Sequence, residues 1–188
     1  MEQIRQLFEE RVKLTDKDWE IFSSRLTQKE IPQKHTLLKV GQIENHLSFI
    51  EKGIIRSYIP KENNDLTFSF MFDNNFVSGY DSFLTRTPSA YCIETLAKTT
   101  LWQLTYQDLQ EIYAKTEIGN LIGRQASEIL YLSKIKRELS LLNETPEERY
   151  LNIFTEQPKL IREIPLKYIA SYIGITPQAL SRIRKRIS

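Results

Sequence analysis

Residues 165–187, near the C-terminus, read PLKYIASYIGITPQALSRIRKRI and carry the clearest structural pattern of the chain. Its apolar residues recur at helical spacing as far as Ile173, and Gly174 then supplies a left-handed helix stop. Thr176 and Pro177 can begin a second helix two residues later. Two helices joined by so short a turn must cross steeply, and this is the geometry of a helix-turn-helix motif.

The second helix of this motif has a basic outer face. Leu180, Ile183 and Ile187 form its apolar inner face, which leaves side chains that bind base edges or phosphates on the other side. The alternative interpretation is a helical hairpin whose basic face has no specific role. The predicted DNA-binding residues are Thr176, Gln178, Ser181, Arg182, Arg184 and Lys185.

Charge is distributed unevenly along the chain. The net charge is +2, but residues 1–143 contain 18 basic and 19 acidic side chains, whereas residues 144–188 contain eight and five. Residues 176–188 contain no acidic side chain. A basic segment within a helical motif predicts a polyanionic partner, and double-stranded DNA fits best.

Composition excludes several classes of protein. The 188 residues are 40% apolar and 27% charged, as expected for a folded domain. Cys92 is the only cysteine, so intrachain disulfides, cysteine-ligated zinc and iron–sulfur clusters are excluded. With only His35 and His46 as histidines, we expect no metal site, no cofactor and no catalytic residues. The N-terminus lacks an apolar signal core and no run is long enough to span a membrane, so we expect a cytoplasmic protein.

The central region predicts an antiparallel β-sandwich or β-roll with flanking helices. Residues 28–104 contain short apolar runs separated by turn residues. Residues 3–12 and a segment capped by Thr15 precede them as helices, and Gln107–Tyr113 follows as another. The overall fold class is therefore α+β. The predicted strands are Thr36–Val40, Leu47–Glu51, Ile54–Ile59, Leu66–Phe72, Ala90–Ala97 and Thr100–Leu104.

A long helix is predicted over residues 117–142, with an apolar stripe close to a heptad repeat. The stripe predicts a homodimer interface, although a helix that faces the core of one chain would show a similar pattern. Thr145 and Pro146 begin a new helix, so the predicted domains are residues 1–116, 117–142 and 143–188. The predicted dimer residues are Ile118, Leu121, Gln125, Ile129, Leu132 and Leu139.

The sequence resembles the Crp/Fnr family of bacterial transcription regulators over nearly its full length, and most closely a compact subgroup of Bacteroidetes-like bacteria. The matching segments are Leu38–Gly41 (LKVG), Phe49–Gly53 (FIEKG) and the C-terminal motif around Gly174 and Arg182. The resemblance implies a cyclic-nucleotide-binding-type β-roll, a dimerisation helix and a C-terminal helix-turn-helix domain. It also implies that Gln178, Ser181 and Arg182 contact DNA.

The resemblance places a ligand site in the β-roll, but the sequence departs from the family there. Members that bind cyclic AMP use a Gly-Glu pair and an Arg-Ser or Arg-Thr pair. Tyr80 replaces the acid, and Pro88 stands where the arginine belongs. We therefore expect a small-molecule effector other than cyclic AMP, with Arg86 as an alternative partner for a phosphate. The candidate pocket residues are Gly79, Tyr80, Asp81, Ser82, Arg86, Ser89 and Tyr91.

These observations predict a homodimeric regulator that binds a pseudo-palindromic DNA site, with RNA polymerase as a further candidate partner and no membrane. Two alternatives remain. The first is a ligand-sensing β-roll that acts through protein partners without specific DNA binding. The second is a cupin-type metalloenzyme, to which His46 and Glu51 bear a faint similarity, but Ser48 stands where a second histidine would be needed.

Overall fold

A computed structural model of the chain describes residues 1–116 and 118–187. It forms two compact units, the first made of residues 1–57 and 70–128, and the second of residues 58–69 together with residues from 129 onward. The predicted division into residues 1–116, 117–142 and 143–188 differs from these two units and stays a prediction. The predicted α+β class with an antiparallel β-roll is confirmed.

The β-roll consists of two four-stranded sheets. One sheet has the strand order β1-β8-β3-β6, and the other has the order β2-β7-β4-β5. The antiparallel pairing of β3 with β8 places Phe49 opposite Trp102. The strands are β1 (Thr27–Ile31), β2 (Thr36–Leu38), β3 (His46–Lys52), β4 (Ile55–Ile59), β5 (Leu66–Met71), β6 (Asn75–Val77), β7 (Cys92–Thr95) and β8 (Thr99–Thr105).

Strand β3 is buried on both faces, because successive side chains of a strand point in opposite directions. Phe49 joins a core cluster with Phe8 and Phe22, which come from two N-terminal helices. Ile50 joins a second cluster with Ile55 and Ile93, which come from the other sheet. The roll therefore has one core between its sheets and another beneath the helices.

Three helices cover the outer core of the first unit, and threonine side chains cap two of them, including the predicted cap at Thr15. Thr15 accepts a hydrogen bond from the Asp18 amide at 3.1 Å, and this bond starts the second helix. Thr105 and Asp108 form a reciprocal capping box at the start of the third. These helices are α1 (Glu2–Glu9), α2 (Asp16–Ser23) and α4 (Tyr106–Lys115), and the short α3 (Tyr80–Thr85) lies between β6 and β7.

The remaining helices begin with the predicted long one, which runs from Gly119 to Asn143. Thr145 caps the next helix through a capping box with Glu148, as its sequence predicts. Pro158 starts a separate helix instead of only interrupting this one. In order, these helices are α5 (Gly119–Asn143), α6 (Pro146–Glu156), α7 (Pro158–Glu163), α8 (Leu166–Tyr172) and α9 (Pro177–Ile187).

Several details of the sequence-based prediction are wrong. It missed β1 and β6, because β1 is almost entirely exposed and β6 is only three residues long. The apolar pattern of residues 147–155 predicts that Tyr150, Leu151 and Phe154 are buried on α6; Tyr150 is buried, but Leu151 and Phe154 are exposed, and Ile153 is buried in their place. The predicted inner-face residues Leu166 and Ile187 are likewise exposed.

Candidate functional site

Helix α9 presents one apolar and one polar face. Leu180 and Ile183 are 1% and 8% exposed, so they fix the helix to the rest of the second unit. The Thr176 hydroxyl accepts a hydrogen bond from the Ala179 amide at 3.2 Å, which caps the helix. The predicted DNA-binding residues Thr176, Gln178, Ser181, Arg182, Arg184 and Lys185 are all exposed.

Two of these cations are available for a polyanion. Arg182 and Lys185 form no ion pair with any of the residues that the structure describes. Arg186, by contrast, pairs with Glu147 of α6. A cation that has no internal partner can neutralise a phosphate without first breaking an existing salt bridge.

The turn between α8 and α9 has the conformation that the sequence predicts. Gly174 has a φ of +81°, which residues other than glycine adopt only at a cost. Its amide donates to the Ser171 carbonyl at 3.1 Å, and the Ile175 amide donates to the Ala170 carbonyl at 3.0 Å. This pair of bonds is a Schellman motif, so α8 ends at a fixed point. Ala170 is fully buried, which fits the close approach of the two helices.

Two arginines that sequence reasoning missed lie behind this turn. Arg149 of α6 is 9% exposed, and its Nε donates to the Ile173 carbonyl at 2.9 Å. Arg137 of α5 donates to the Tyr172 carbonyl, and its guanidinium carbon lies 4.0 Å from the centre of the Tyr172 ring. The one signal in the sequence that could have indicated a structural role for Arg149 is its position next to the apolar Tyr150. No pattern in the sequence indicated such a role for Arg137.

Helix α8 also binds the end of the β4–β5 hairpin, which belongs to the same compact unit. The Ser171 hydroxyl accepts a hydrogen bond from the Thr67 amide at 2.7 Å and donates one to the Asp65 carbonyl at 2.5 Å. A single serine thus satisfies two main-chain groups of the hairpin. No local sequence pattern predicts this contact.

The candidate ligand pocket is built around Gly79, where an internal carboxylate takes up the main-chain donors. Glu44 is 9% exposed and accepts hydrogen bonds from the amides of Asn45 and His46, both at 2.9 Å, and from Gly79 at 3.3 Å. A Cβ atom at Gly79 would lie 2.4 Å from the side chain of Leu38. A larger residue at this position would therefore require Leu38 to shift.

Arg86 was predicted as an alternative partner for a phosphate, a contact that it could make from an extended strand. It does not lie on a strand. It is the C-cap of α3 with a φ of +59°. Its guanidinium donates to the Glu44 carbonyl at 2.6 Å and to the Asn45 side-chain oxygen at 2.5 Å, and lies 4.9 Å from the centre of the Tyr106 ring. The charge and the hydrogen-bond donors of Arg86 are therefore already used in contacts within the chain.

The other pocket candidates also bond within the chain. Ser82 accepts from the Glu44 amide at 3.0 Å and donates to the Thr87 carbonyl at 2.5 Å. Ser89 bonds to the main chain of Tyr91, and Tyr80 packs against the outer core of the first unit. Most of the candidates therefore lie together around α3, but the side chain of Tyr80 packs against the core.

Tyr91 closes one side of this region. Its hydroxyl donates a 2.5 Å hydrogen bond to Asp81 in the first turn of α3. Burial, followed by the hydrogen bond to Asp81 and the negative charges of Asp81 and Glu44, raises the pKa of Tyr91 far above its ordinary value. Nearby, Arg56 is 2% exposed and bonds to Glu94 through Nε and Nη2 at 2.8 and 2.6 Å.

The predicted dimer residues lie on α5, apart from Ile118, which directly precedes it, and those in the C-terminal half of the helix are exposed. Ile129, Leu132 and Leu139 are 50%, 65% and 51% exposed. Of the other predicted residues, Leu121 and Gln125 in the N-terminal half of the helix are half-buried, and so is Ile118 just before it. Among the described residues of α5 only Gly119 is buried, so most of its apolar stripe is not used within the chain.

The described residues form neither a metal-ligand cluster nor a membrane-spanning helix. No group of three or more potential metal ligands occurs within residues 1–116 and 118–187. In the same part of the chain, every helix is too short or too polar to cross a membrane.

Comparison with known proteins identifies the β-roll. Residues 28–116 match the family model of the cyclic nucleotide-binding domain. No curated protein matches the chain in sequence. The matched segment covers the strands from β1 to β8 and the candidate pocket.

Solved structures extend the similarity to the whole chain. FixK2 from Bradyrhizobium japonicum is 13% identical, with a TM-score of 0.73 over 86% of this chain and 84% of that one. A Crp/Fnr family regulator from Eubacterium rectale is 14% identical, with a TM-score of 0.70 over 92% and 83%. CLP from Xanthomonas campestris, a regulator responsive to c-di-GMP, is 15% identical, with a TM-score of 0.66 over 92% and 91%. Residues 28–116 are therefore similar to the cyclic nucleotide-binding domain, and the chain as a whole has the fold of these solved regulators.

Proposed function

We propose that the chain is a homodimeric transcription regulator that binds a pseudo-palindromic DNA site through α9. The observation that carries this proposal is the outer face of α9, where Gln178, Arg182 and Lys185 are exposed behind a fixed turn. Arginine can bind guanine with two hydrogen bonds, and glutamine can bind adenine in the same way. A helix of this kind fits the major groove.

The proposed dimer forms along α5. Its exposed apolar residues would be covered by the same residues of a second copy, since a two-fold interface uses one patch on both subunits. Two copies of α9 then lie roughly 34 Å apart and enter successive major grooves. Burial of Ile129, Leu132 and Leu139 would supply the stabilisation.

The proposed effector of the β-roll is not cyclic AMP. A cyclic phosphate needs a cation, and Arg86 is already employed by Glu44 and Asn45. Arg56 is likewise paired with Glu94. The buried carboxylate of Glu44 would repel a phosphate brought close to Gly79.

Selection of bound sequences from random duplex DNA, with and without an extract of cell metabolites, tests the proposal. We expect enrichment of a two-fold symmetric site, and we expect the extract to change the enrichment. An absence of any enriched sequence, with and without extract, would contradict DNA-specific regulation and favour a ligand-sensing module that acts through protein partners.

A further inference from the structure

The C-terminal end of α8 leaves four carbonyl groups without partners inside the helix, as at the end of every α-helix. The Schellman turn satisfies two of them, those of Ala170 and Ser171. The carbonyls of Tyr172 and Ile173 remain. Both lie at the turn that leads into α9.

Side chains from outside the motif bind these two carbonyls. Arg149 donates to the Ile173 carbonyl and also to the Glu144 carbonyl, so it connects the turn with the loop before α6. Arg137 donates to the Tyr172 carbonyl and stacks on the ring of the same residue. With these two bonds, all four C-terminal carbonyls of α8 have a partner.

Arginine suits this place for electrostatic reasons. The C-terminal end of a helix has a partial negative charge, and a cation beside it is stabilising. Arg137 keeps its positive charge at neutral pH, although burial lowers the pKa of its guanidinium. Hydrogen bonds from a charged donor are about twice as strong as neutral ones, so the contact resists bending of the turn.

The two arginines come from different parts of the chain. Arg149 belongs to α6, whereas Arg137 belongs to α5, the helix of the proposed dimer. Lys136, the neighbouring cation on α5, pairs with Glu156 of α6, but their side chains are 69% and 43% exposed. Exposed ion pairs contribute little. The contact between Arg137 and Tyr172 is better shielded from solvent than this ion pair, and it holds the α8–α9 turn to α5.

We propose that Arg137 is a positioning residue for DNA binding, which fixes the orientation of the α8–α9 turn, and hence of α9, on the dimerisation helix α5. This inference rests on the proposed function. In a dimer about α5, that orientation sets the distance between the two copies of α9 and so selects the spacing of the two half-sites. Arg137 itself contacts no DNA.

The test compares Arg137→Met and Arg137→Gln with the wild-type protein on two duplexes. One carries the operator found by selection, and the other has its half-sites one base pair farther apart. Both variants should lose about tenfold or more in affinity for the native spacing, and their preference for it should shrink. Arg137→Lys should restore part of that preference. The slope of log affinity against log salt should not change, because no phosphate contact is lost.

Lys136→Met is the matched control, because it removes the same charge from the next position of α5. It should bind like the wild-type protein. A folded Arg137 variant with wild-type affinity and spacing preference would overturn the inference. A loss of affinity accompanied by a slope of log affinity against log salt that is smaller by about 0.9 would also overturn it, because such a change marks a lost phosphate contact. Thermal unfolding identifies the folded variants, and Arg137→Lys gives the answer if the others do not fold. If the wild-type protein selects no operator, the proposed function itself fails, which is a separate result.

Discussion

Tyr91 and Asp81 are joined by a hydrogen bond of 2.5 Å between the phenol and the carboxylate. The bond connects the residue before β7 to the first turn of α3, across the candidate ligand pocket. Together with Glu44 at the amide of Gly79, it leaves the pocket lined by acids rather than by a free arginine. This arrangement leads to a first prediction about ligands.

Cyclic AMP should not bind the protein tightly. Without the arginine at position 88, a buried cyclic phosphate loses a contact worth roughly 1.5–3 kcal/mol, and Glu44 adds repulsion. Isothermal titration should show no binding at micromolar concentrations. Glu44→Gln is the informative variant, because it removes the repulsion and keeps the size of the side chain. Micromolar affinity of the wild-type protein would contradict the prediction.

The dimer proposal predicts that a charge on the exposed stripe of α5 separates the subunits. Leu132 is 65% exposed, so Leu132→Asp should fold normally and yet give monomers by light scattering. Ser133→Asp is the control, because it places the same charge on the neighbouring exposed position and should leave dimers. If the Leu132→Asp protein remains a dimer, the interface lies elsewhere.

The capping box at the start of α6 predicts a measurable contribution to stability. Thr145→Ala removes the acceptor for the Glu148 amide and leaves the Glu148 carboxylate without the hydroxyl. The free energy of unfolding should fall by about 1 kcal/mol, as for other N-caps. Urea unfolding measures it. Thr155→Ala, on an exposed site of the same helix, should change stability by less, and an equal loss in both variants would argue against the cap.

The pKa of Tyr113 predicts how stability depends on pH. Burial of the ring, followed by the proximity of Tyr80, raises this pKa from 10.0 to about 12. The unfolded chain then loses its proton first, so the contribution of Tyr113 is fully present below about pH 10 and is lost as the pH rises towards 12. Tyr113→Phe should flatten the fall in unfolding free energy between about pH 10 and pH 12. Tyr131→Phe, which alters a ring that is 65% exposed, should match the wild-type protein.

The sequence predicted those features that depend on local chemistry. Gly174, Thr145 and Thr15 each mark a helix end because the residue itself meets a local requirement of the main chain. Gly174 adopts a positive φ, and the two threonine side chains accept hydrogen bonds from main-chain amides. The strands with regular apolar runs were predicted for the same kind of reason. Strand β1 was missed because its edge position leaves it exposed, so it shows no apolar pattern.

The remaining features depend on contacts between distant segments. Arg137 and Tyr172 are separated by 35 positions, and Ser171 lies more than 100 positions from the hairpin residues that it binds. Glu44 and Arg86 also reveal their roles only when the turns around α3 are folded. No local pattern in the sequence marks such pairs, since their partners are set by tertiary packing.

The most direct test of DNA binding by α9 is the salt dependence of affinity for the selected operator. Lys185→Ala should weaken all sequences alike and reduce the slope of log affinity against log salt by about 0.9. Arg182→Ala should cost about 1–3 kcal/mol on the operator and relax the preference at one base position. If both variants keep wild-type affinity, slope and selectivity, α9 is not the DNA-binding element of this protein.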